Sequence, residues 1–238
     1  MRSFFKKLYT GSFADFTKLL SENLKENKKT FVVTANPEIF ICGKDDPETK
    51  NLLLDDETTI VPDGISIVKG ARVLGFEVQE RIPGVELAAE LLKIGSEQQK
   101  TAYLFGAKPE VMEKMREVLA RDYKNLTLVG YSDGYVKNKD KVFEEIKALS
   151  PDICLVALGV PAQEMLIYKY IKHFDKGIFM GVGGSFDVLS GCKKRASKFF
   201  IKHNLEWLYR IACEPKRIKR FYNNNVKFLK EVKKEKYQ

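Results

Sequence analysis

Short apolar runs alternate along the chain with longer segments of helical periodicity. The apolar runs contain β-branched and aromatic residues and lie at 30–34, 58–61, 101–105, 126–130, 153–158 and 177–180. Between them, helical patterns cover 13–26, 37–53, 85–94, 109–122, 139–149 and 162–174. Strands that alternate with helices of this length are typical of a parallel sheet with helices on both faces. The pattern therefore predicts an α/β fold.

Local signals support several of these elements. Pro37 and Pro109 stand near the first turn of their predicted helices, where a missing backbone N–H has no cost. The clearest succession of strands and helices runs from about residue 100 to 181, and we find no internal repeat and no long linker. We predict a Rossmann-like, mostly parallel sheet in a catalytic or binding domain over 1–192, followed by an appendage over 193–238.

The charge of the chain supports this division. The 238 residues include 41 Lys and Arg and 32 Asp and Glu, a formal net charge of +9. Residues 193–238 hold 15 basic and four acidic residues, net +11, so residues 1–192 hold 26 basic and 28 acidic residues, net −2. A nearly neutral domain with a basic C-terminal segment predicts contact with an anionic surface.

The basic segment also carries large apolar side chains. Leu205, Leu208 and Ile211 recur at helical spacing, and the pair Glu214-Pro215 interrupts the pattern before a second basic stretch. Apolar residues on one side and cations on the other are typical of a helix in a membrane interface. A helix that packs on the body with solvated charges has the same composition, and both interpretations remain open. Nucleic acid is not expected as a partner, since no recognition module is visible.

The number and spacing of the cysteines and histidines limit the metal sites and disulfides that we expect. The four cysteines are scattered without metal-ligand spacing, which predicts reduced thiols, and the two histidines make a His-based zinc site improbable. No metal or other cofactor is expected. The first residues lack the apolar stretch of a signal peptide, and no apolar run approaches the roughly 18 residues that a membrane span needs. We expect an intracellular protein, soluble or bound peripherally to a membrane.

Polar residues and glycines follow the predicted strands. Asn36 follows the first strand, Asp63 the second, Gln163 the fifth, and the cluster Gly181-Val182-Gly183-Gly184 the sixth. In an open α/β sheet, ligands bind at the carboxyl ends of the strands. The pattern predicts a cleft of nucleotide size with hydrogen-bonding groups around its rim.

Each of these residues has a functional and a structural interpretation. Asp63 stands between Pro62 and Gly64, which suits a general base for a hydroxyl, but Pro-Asp-Gly is also a common turn. Asn36 and Gln163 are either ligand contacts or buried polar anchors. Arg81, just before a predicted helix, is either a phosphate clamp or a solvated cation.

The glycine cluster likewise allows two interpretations. Its backbone N–H groups can hold a phosphate, or it can form a tight turn with positive φ. It is neither a G-x-G-x-x-G nor a P-loop, so a dinucleotide oxidoreductase is not supported. No D-x-D occurs, which disfavours a sugar-nucleotide enzyme that binds a metal through such carboxylates.

Several of these segments together resemble the WecG/TagA/CpsF bacterial glycosyltransferases. The blocks stand in family order from about residue 10 to 222, at 34–38, 62–64, 81–84, 158–164, 181–187, 194–196, 205–210 and 214–215. Each block alone is weakly specific, and their order makes the resemblance strong. The resemblance implies an inverting, metal-independent transfer from a UDP-sugar donor to a polyprenyl-diphosphate-linked acceptor.

In the teichoic-acid branch of that family, the donor is UDP-N-acetylmannosamine and the acceptor is undecaprenyl-diphosphate N-acetylglucosamine. The resemblance implies that Asp63 is the base that deprotonates the acceptor hydroxyl and that Thr34, Asn36 and Gln163 line the catalytic pocket. It implies that Gly183 and Asp187 lie near the nucleotide. It also implies that three arginines of the membrane-proximal appendage meet the acceptor diphosphate. These are Arg210, Arg217 and Arg220.

The chain departs from the family pattern at Ser66, Glu86 and Ala162, where Gly, Asp and Lys are frequent. These departures leave the base in place and leave the donor sugar open between N-acetylmannosamine, N-acetylmannosaminuronic acid and glucose. A non-catalytic, basic nucleotide- or nucleic-acid-binding module is the alternative from another class. We expect a cytoplasmic protein at the inner face of the cell membrane. Its oligomeric state is left open, with a homo-oligomer among the options.

Overall fold

A computed structural model gives the fold and describes residues 1–197, 199–200, 205–215 and 217–237, without the side chains of Arg210, Arg217 and Arg220. Six strands form one sheet. They are β1 (Thr30–Ala35), β2 (Thr58–Pro62), β3 (Thr101–Gly106), β4 (Thr127–Ser132), β5 (Ile153–Ala157) and β6 (Ile178–Gly181).

The sheet has the order β2-β1-β6-β5-β3-β4, and every pair of neighbours is parallel. All carboxyl ends therefore lie at one edge. Strands β1 and β6 are neighbours at the centre, although they are the first and the last in the chain. The predicted α/β fold with a Rossmann-like parallel sheet is confirmed, and each predicted strand is present within two residues of its expected ends.

Five strands of the sheet are buried on both faces, as their nearly continuous apolar sequences require, whereas the edge strand β4 is partly exposed. Along β1, Phe31 and Val33 contribute to one hydrophobic core, whereas Val32 contributes to the core on the opposite face. Side chains alternate between the faces because successive Cβ atoms point in opposite directions. Helices therefore cover both sides and leave the strand ends at the carboxyl edge accessible.

The helices of the first half are α1 (Arg2–Lys6), α2 (Phe13–Lys25), α3 (Pro37–Asp45), α4 (Pro47–Leu54), α5 (Ile65–Val73) and α6 (Gly84–Glu97). The single helix predicted at 37–53 is wrong in one respect, because two helices occupy this segment. Pro47 cannot donate the backbone hydrogen bond that a continuous helix needs at that position. Asp46 instead caps α4 by accepting a hydrogen bond of 2.7 Å from the N–H of Thr49.

The helices of the second half are α7 (Pro109–Asp122), α8 (Lys139–Leu149), α9 (Ala162–Ile171), α10 (Ser185–Leu189), α11 (Glu206–Cys213) and α12 (Arg217–Lys236). Helices α7 and α8 have the predicted bounds. The pattern did not predict α1, α5 or α10. Helices α1 and α10 are each five residues long, which is too short for a helical period to be recognised.

The last helix packs on the body along part of its length. Phe228 is fully buried in the core with Phe5 and Phe40, and Val232 lies in the same core. Gly70 of α5 makes room for this packing, since a Cβ there would lie 3.1 Å from the Phe228 ring. Thus α12 shares its core with residues of the predicted 1–192 domain, and a separable unit at 193–238 stays a prediction. None of the described helices is both long enough and apolar enough to cross a bilayer.

Candidate active site

The turns after β1 and β2 are joined by backbone hydrogen bonds. The N–H groups of Asp63 and Gly64 both donate to the carbonyl oxygen of Ala35, at 3.0 and 3.1 Å. A side chain at Gly64 would approach Pro37 closely, with its Cβ 3.3 Å from the proline Cδ. The absence of a side chain at Gly64 therefore lets the two turns lie side by side and brings Asp63 next to the start of α3.

The carboxylate of Asp63 is held at the N-terminus of α6. Its Oδ1 accepts a hydrogen bond of 3.1 Å from the N–H of Gly84, the first residue of that helix. The chain between them is fixed by a hydrogen bond of 2.7 Å from the Ile82 N–H to the Pro62 carbonyl oxygen. A helix N-terminus stabilises negative charge, so this position favours the ionised carboxylate. An ionised, half-buried carboxylate can accept a proton from a hydroxyl group.

Thr34 connects this group to the centre of the sheet. Its buried side chain packs against Gly84, where a Cβ would lie 3.3 Å from Thr34 Cγ2. Its hydroxyl donates to the carbonyl oxygen of Gly181, at the end of β6, over 3.5 Å. The ends of β1, β2 and β6 and the start of α6 thus meet around Thr34 and Asp63.

Asn36 caps α3. Its Oδ1 accepts hydrogen bonds of 2.9 and 3.1 Å from the N–H groups of Glu38 and Ile39. These hydrogen bonds agree with the interpretation of Asn36 as a polar anchor, because they engage its side-chain oxygen within the protein. A contact between Asn36 and a ligand stays a prediction.

Gln163 joins the turns after β5 and β6. Its Oε1 accepts hydrogen bonds from the N–H groups of Gly159, at 3.0 Å, and Gly183, at 2.9 Å. Only 2% of the residue is exposed, so these interactions are shielded from water. Because Gly181 lies against the Gln163 amide, Gln163 is brought to the strand end that Thr34 also contacts.

The glycine cluster forms a turn in which Gly183 has a φ of +48°, a conformation that favours glycine. Asp187, in the first turn of α10, pairs with Lys193 at 3.2 Å, and Lys193 also pairs with Glu214 at 3.0 Å. These pairs tie Asp187 to the basic segment. A contact of Gly183 or Asp187 with a nucleotide stays a prediction.

Arg81 contacts the C-terminal helices. Its guanidinium donates to Glu206 of α11 at 3.3 Å, and the two side chains are 17% and 10% exposed. Sequence reasoning gave no partner for Arg81, and its role as a phosphate clamp stays a prediction. The side chains of Arg210, Arg217 and Arg220, predicted to meet a diphosphate, lie outside the described residues.

Sequence reasoning missed the buried carboxyl group beside Gln163. Glu164 is fully buried, and its Oε1 accepts a hydrogen bond of 2.7 Å from Gln163 Nε2. Burial, together with a smaller contribution from the nearby negative charge of Glu38, raises the pKa of Glu164 from 4.5 to about 7. Nothing in the sequence indicates this burial, because an acid in the first turn of a helix is normally solvated.

The site is defined by strand ends and their contacts. Two open depressions of about 580 and 860 Å³ lie elsewhere, one beside α6 and α10 and one around residues 72–79, and neither has Asp63 in its wall. Within the described ranges, no three His, Cys, Asp or Glu side chains are grouped as a metal site. The polar groups described at this edge include the Asp63 carboxylate, backbone N–H groups and the side chains of Thr34, Asn36 and Gln163.

Comparison with known proteins gives a consistent result. A family model described as glycosyl transferase WecG/TagA/CpsF family matches residues 5–238. The chain is 41% identical over 197 residues to an N-acetylglucosaminyldiphosphoundecaprenol N-acetyl-beta-D-mannosaminyltransferase of Bacillus spizizenii, covering 83% of this chain and 76% of that protein. Proteins of the same name from Bacillus subtilis and Staphylococcus aureus are 38% and 36% identical, over 86% and 87% of this chain and 80% and 85% of their own lengths.

Proposed function

The chain belongs to the WecG/TagA/CpsF glycosyltransferase family, and from this premise we propose that it transfers N-acetylmannosamine from UDP-N-acetylmannosamine to undecaprenyl-diphosphate-linked N-acetylglucosamine. The product would be the linkage unit of a teichoic acid or another cell-surface polysaccharide. The observation that carries the proposal is the carboxylate of Asp63, held on the N-terminus of α6 at the carboxyl edge of the sheet. Similarity to relatives that bear this activity in their names supports the choice of donor and acceptor.

In the proposed reaction, Asp63 accepts the proton of the acceptor hydroxyl as that oxygen attacks the anomeric carbon of the donor sugar. The new glycosidic bond forms as the bond to the UDP oxygen breaks on the opposite face, so the anomeric configuration inverts. A base that accepts a hydrogen bond from Gly84 has a fixed direction, and fixed geometry is a large part of catalysis. Thr34, Asn36 and Gln163 would line the pocket around the sugar.

The leaving group is UDP, and its growing negative charge needs compensation without a divalent metal. Backbone N–H groups of the loop with Gly183 and Asp187 would face the nucleotide. Arg81 would face the phosphates of UDP, and three arginines of the C-terminal helices would face the diphosphate of the acceptor, since a guanidinium group can donate two parallel hydrogen bonds to phosphate oxygens. The three are Arg210, Arg217 and Arg220.

A peripheral position at the inner face of the membrane follows from the acceptor, whose lipid stays in the bilayer. Helices α11 and α12 support this position because they expose apolar side chains among cations. The exposed apolar residues there include Trp207, Leu208, Ile218 and Tyr222. Anionic lipids attract each nearby cation by about 1 kcal/mol, and apolar side chains add burial.

The test is UDP release from UDP-N-acetylmannosamine, with and without a short-chain polyprenyl-diphosphate N-acetylglucosamine, in the presence of EDTA. We expect acceptor-dependent release, with the configuration of the new bond read by NMR. Release only with a glucose or N-acetylmannosaminuronic acid donor would keep the family and change the donor. Release that requires added Mg²⁺ would contradict metal independence.

A further inference from the structure

The side-chain amide of Gln163 makes three hydrogen bonds in a confined space. Its Oε1 faces two donors, the N–H groups of Gly159 and Gly183, and its Nε2 faces one acceptor, Glu164 Oε1, at 2.7 Å. Rotation of the amide by 180° would set its NH₂ group against two N–H donors and its oxygen against a carboxyl oxygen. The three partners therefore define one orientation of the amide.

The Gln163 oxygen connects two loops that are distant in the sequence. Gly159 lies between β5 and α9, and Gly183 lies between β6 and α10. Each loop follows a central strand at the edge where Asp63 is found. Any displacement of the amide would change the spacing of these loops, because the same oxygen holds both N–H groups.

Glu164 supplies the third partner from a position without access to water. Its side chain packs under Gly181, where a Cβ would lie 2.8 Å from Glu164 Oε1 and 2.6 Å from Gln163 Nε2. Among the described residues, no hydrogen-bond partner is present for Glu164 Oε2. A buried carboxyl group with an unpaired oxygen lowers the stability of the fold, so stability alone does not account for an acid at this position.

We propose that Glu164 is a positioning residue: its carboxyl group fixes the Gln163 amide, which in turn holds the loops after β5 and β6 at their catalytic spacing. The neutral acid is the form in which the group can stay buried. The negative charge of Glu38, on α3, also disfavours ionisation of Glu164, because two carboxylates close together repel each other. The consequence for turnover rests on the proposed function, whereas the effect on the loops does not.

Amide hydrogen exchange tests the effect on the loops directly. Glu164→Gln keeps an acceptor oxygen without a charge, and Glu164→Met keeps the length but removes both oxygens. We expect the Gly159 and Gly183 amides in Glu164→Gln to exchange within about threefold of the parent protein, and those in Glu164→Met at least about tenfold faster. The internal control is the Ile178 amide, which donates to the Asp152 carbonyl oxygen at the amino end of β6. Its exchange rate should not change.

Unchanged exchange at both glycines in Glu164→Met would overturn the proposal. Equal acceleration in Glu164→Gln would overturn it as well, and this variant decides the question if Glu164→Met does not fold. Faster exchange at Ile178 in step with the two glycines would mean general destabilisation, which also contradicts a positioning role.

A double-variant cycle in the UDP-release assay tests the consequence for turnover. If Glu164 acts through Gln163, Glu164→Met lowers kcat/KM by about tenfold in the parent protein and by no more than about twofold when Gln163→Met is already present. Additive losses would mean that Glu164 acts independently of Gln163. If the parent protein releases no UDP from any donor, the proposed function fails, and the exchange experiment still decides the positioning role.

Discussion

Asp63 Oδ1 accepts a hydrogen bond of 3.1 Å from the backbone N–H of Gly84, which joins the end of β2 to the start of α6. This hydrogen bond does two things for a base: it fixes one oxygen and puts the charge at the positive end of a helix. In the proposed reaction, this carboxylate accepts the proton of the acceptor hydroxyl. A Pro-Asp-Gly turn and a catalytic base are thus compatible, because the turn is what brings the aspartate to the helix.

Asp63→Asn should abolish proton transfer while preserving the fold, since an amide oxygen can still accept from Gly84. We expect kcat to fall by about 10²- to 10⁴-fold, the range typical of a lost general base. Calorimetric binding of UDP should change little. The matched control is Asp122→Asn at the exposed end of α7, which should retain parental kcat. Parental kcat in Asp63→Asn would remove Asp63 from the mechanism.

The pair Arg81–Glu206 allows the predicted phosphate contact of Arg81 to be separated from its structural contact. Each single change, Arg81→Met or Glu206→Met, breaks this ion pair between two partly buried side chains, and we expect Tm to fall in both. The double variant should lose less Tm than the sum of the two single losses, because each single change already removes the interaction between the two side chains. If Arg81 binds a substrate phosphate, the double variant should still have a KM for the UDP-sugar raised about tenfold or more, since charge-assisted hydrogen bonds to phosphate are lost. A parental KM in the double variant would assign Arg81 a structural role alone.

The sequence was sufficient to predict the strands of the sheet and the position of Asp63 at the end of the second strand. Strands buried on both faces are continuous apolar runs, and the run that forms β2 ends at Pro62, just before the turn residues Asp63 and Gly64. Parallel strands put their carboxyl ends on one edge, so the residues after the strands could be grouped before the order of the strands was known. Pro47 was the available signal for the break between α3 and α4.

Contacts between distant segments could not be predicted in this way. Arg81 and Glu206 are 125 positions apart, and no local pattern relates their charges. The burial of Glu164 depends on Gly181 and on the turns around it, so its sequence position in the first turn of a helix is misleading. Phe228 lies between Lys227 and Lys230, so its sequence position fits a membrane-facing residue as well as a core residue. The packing of α12 shows that it belongs to the core.

Phe228 should contribute strongly to stability, because its ring is fully buried beside Phe5 and Phe40. Phe228→Ala should lower the free energy of unfolding by about 3–5 kcal/mol, the usual cost of removing a buried aromatic ring. Leu229 is the matched control on the same helix, since it is 54% exposed. Leu229→Ala should change the free energy by no more than about 0.5 kcal/mol. Similar urea midpoints for the two variants would contradict the packing of α12 on the body.

Binding to anionic vesicles should depend on the apolar residues exposed at the start of α12. Ile218 is 56% exposed, and replacement by Ser should weaken co-sedimentation with vesicles that contain phosphatidylglycerol by several-fold. Leu149→Ser, at the end of α8, is the control, because Leu149 is also exposed, by 41%, and lies on a helix outside the basic segment. Binding should also weaken as salt rises from about 0.05 to 0.5 M. Equal binding of the two variants would mean that the start of α12 does not contact the membrane.

The raised pKa of Glu164 predicts a specific dependence of stability on pH. The unfolded chain ionises this group near pH 4.5, whereas the folded protein ionises it near pH 7. Between these values the folded state binds more protons than the unfolded state, so stability falls as pH rises through this window. A pKa raised from 4.5 to about 7 corresponds to a loss of about 3 kcal/mol, which is complete about one pH unit above pH 7. Glu164→Gln cannot ionise, so the difference in unfolding free energy between the parent protein and this variant should grow from pH 4.5 to about one unit above pH 7 and then stay constant. Urea titrations across this range measure the difference, and a difference independent of pH would mean that Glu164 has the same pKa in the folded protein as in the unfolded chain.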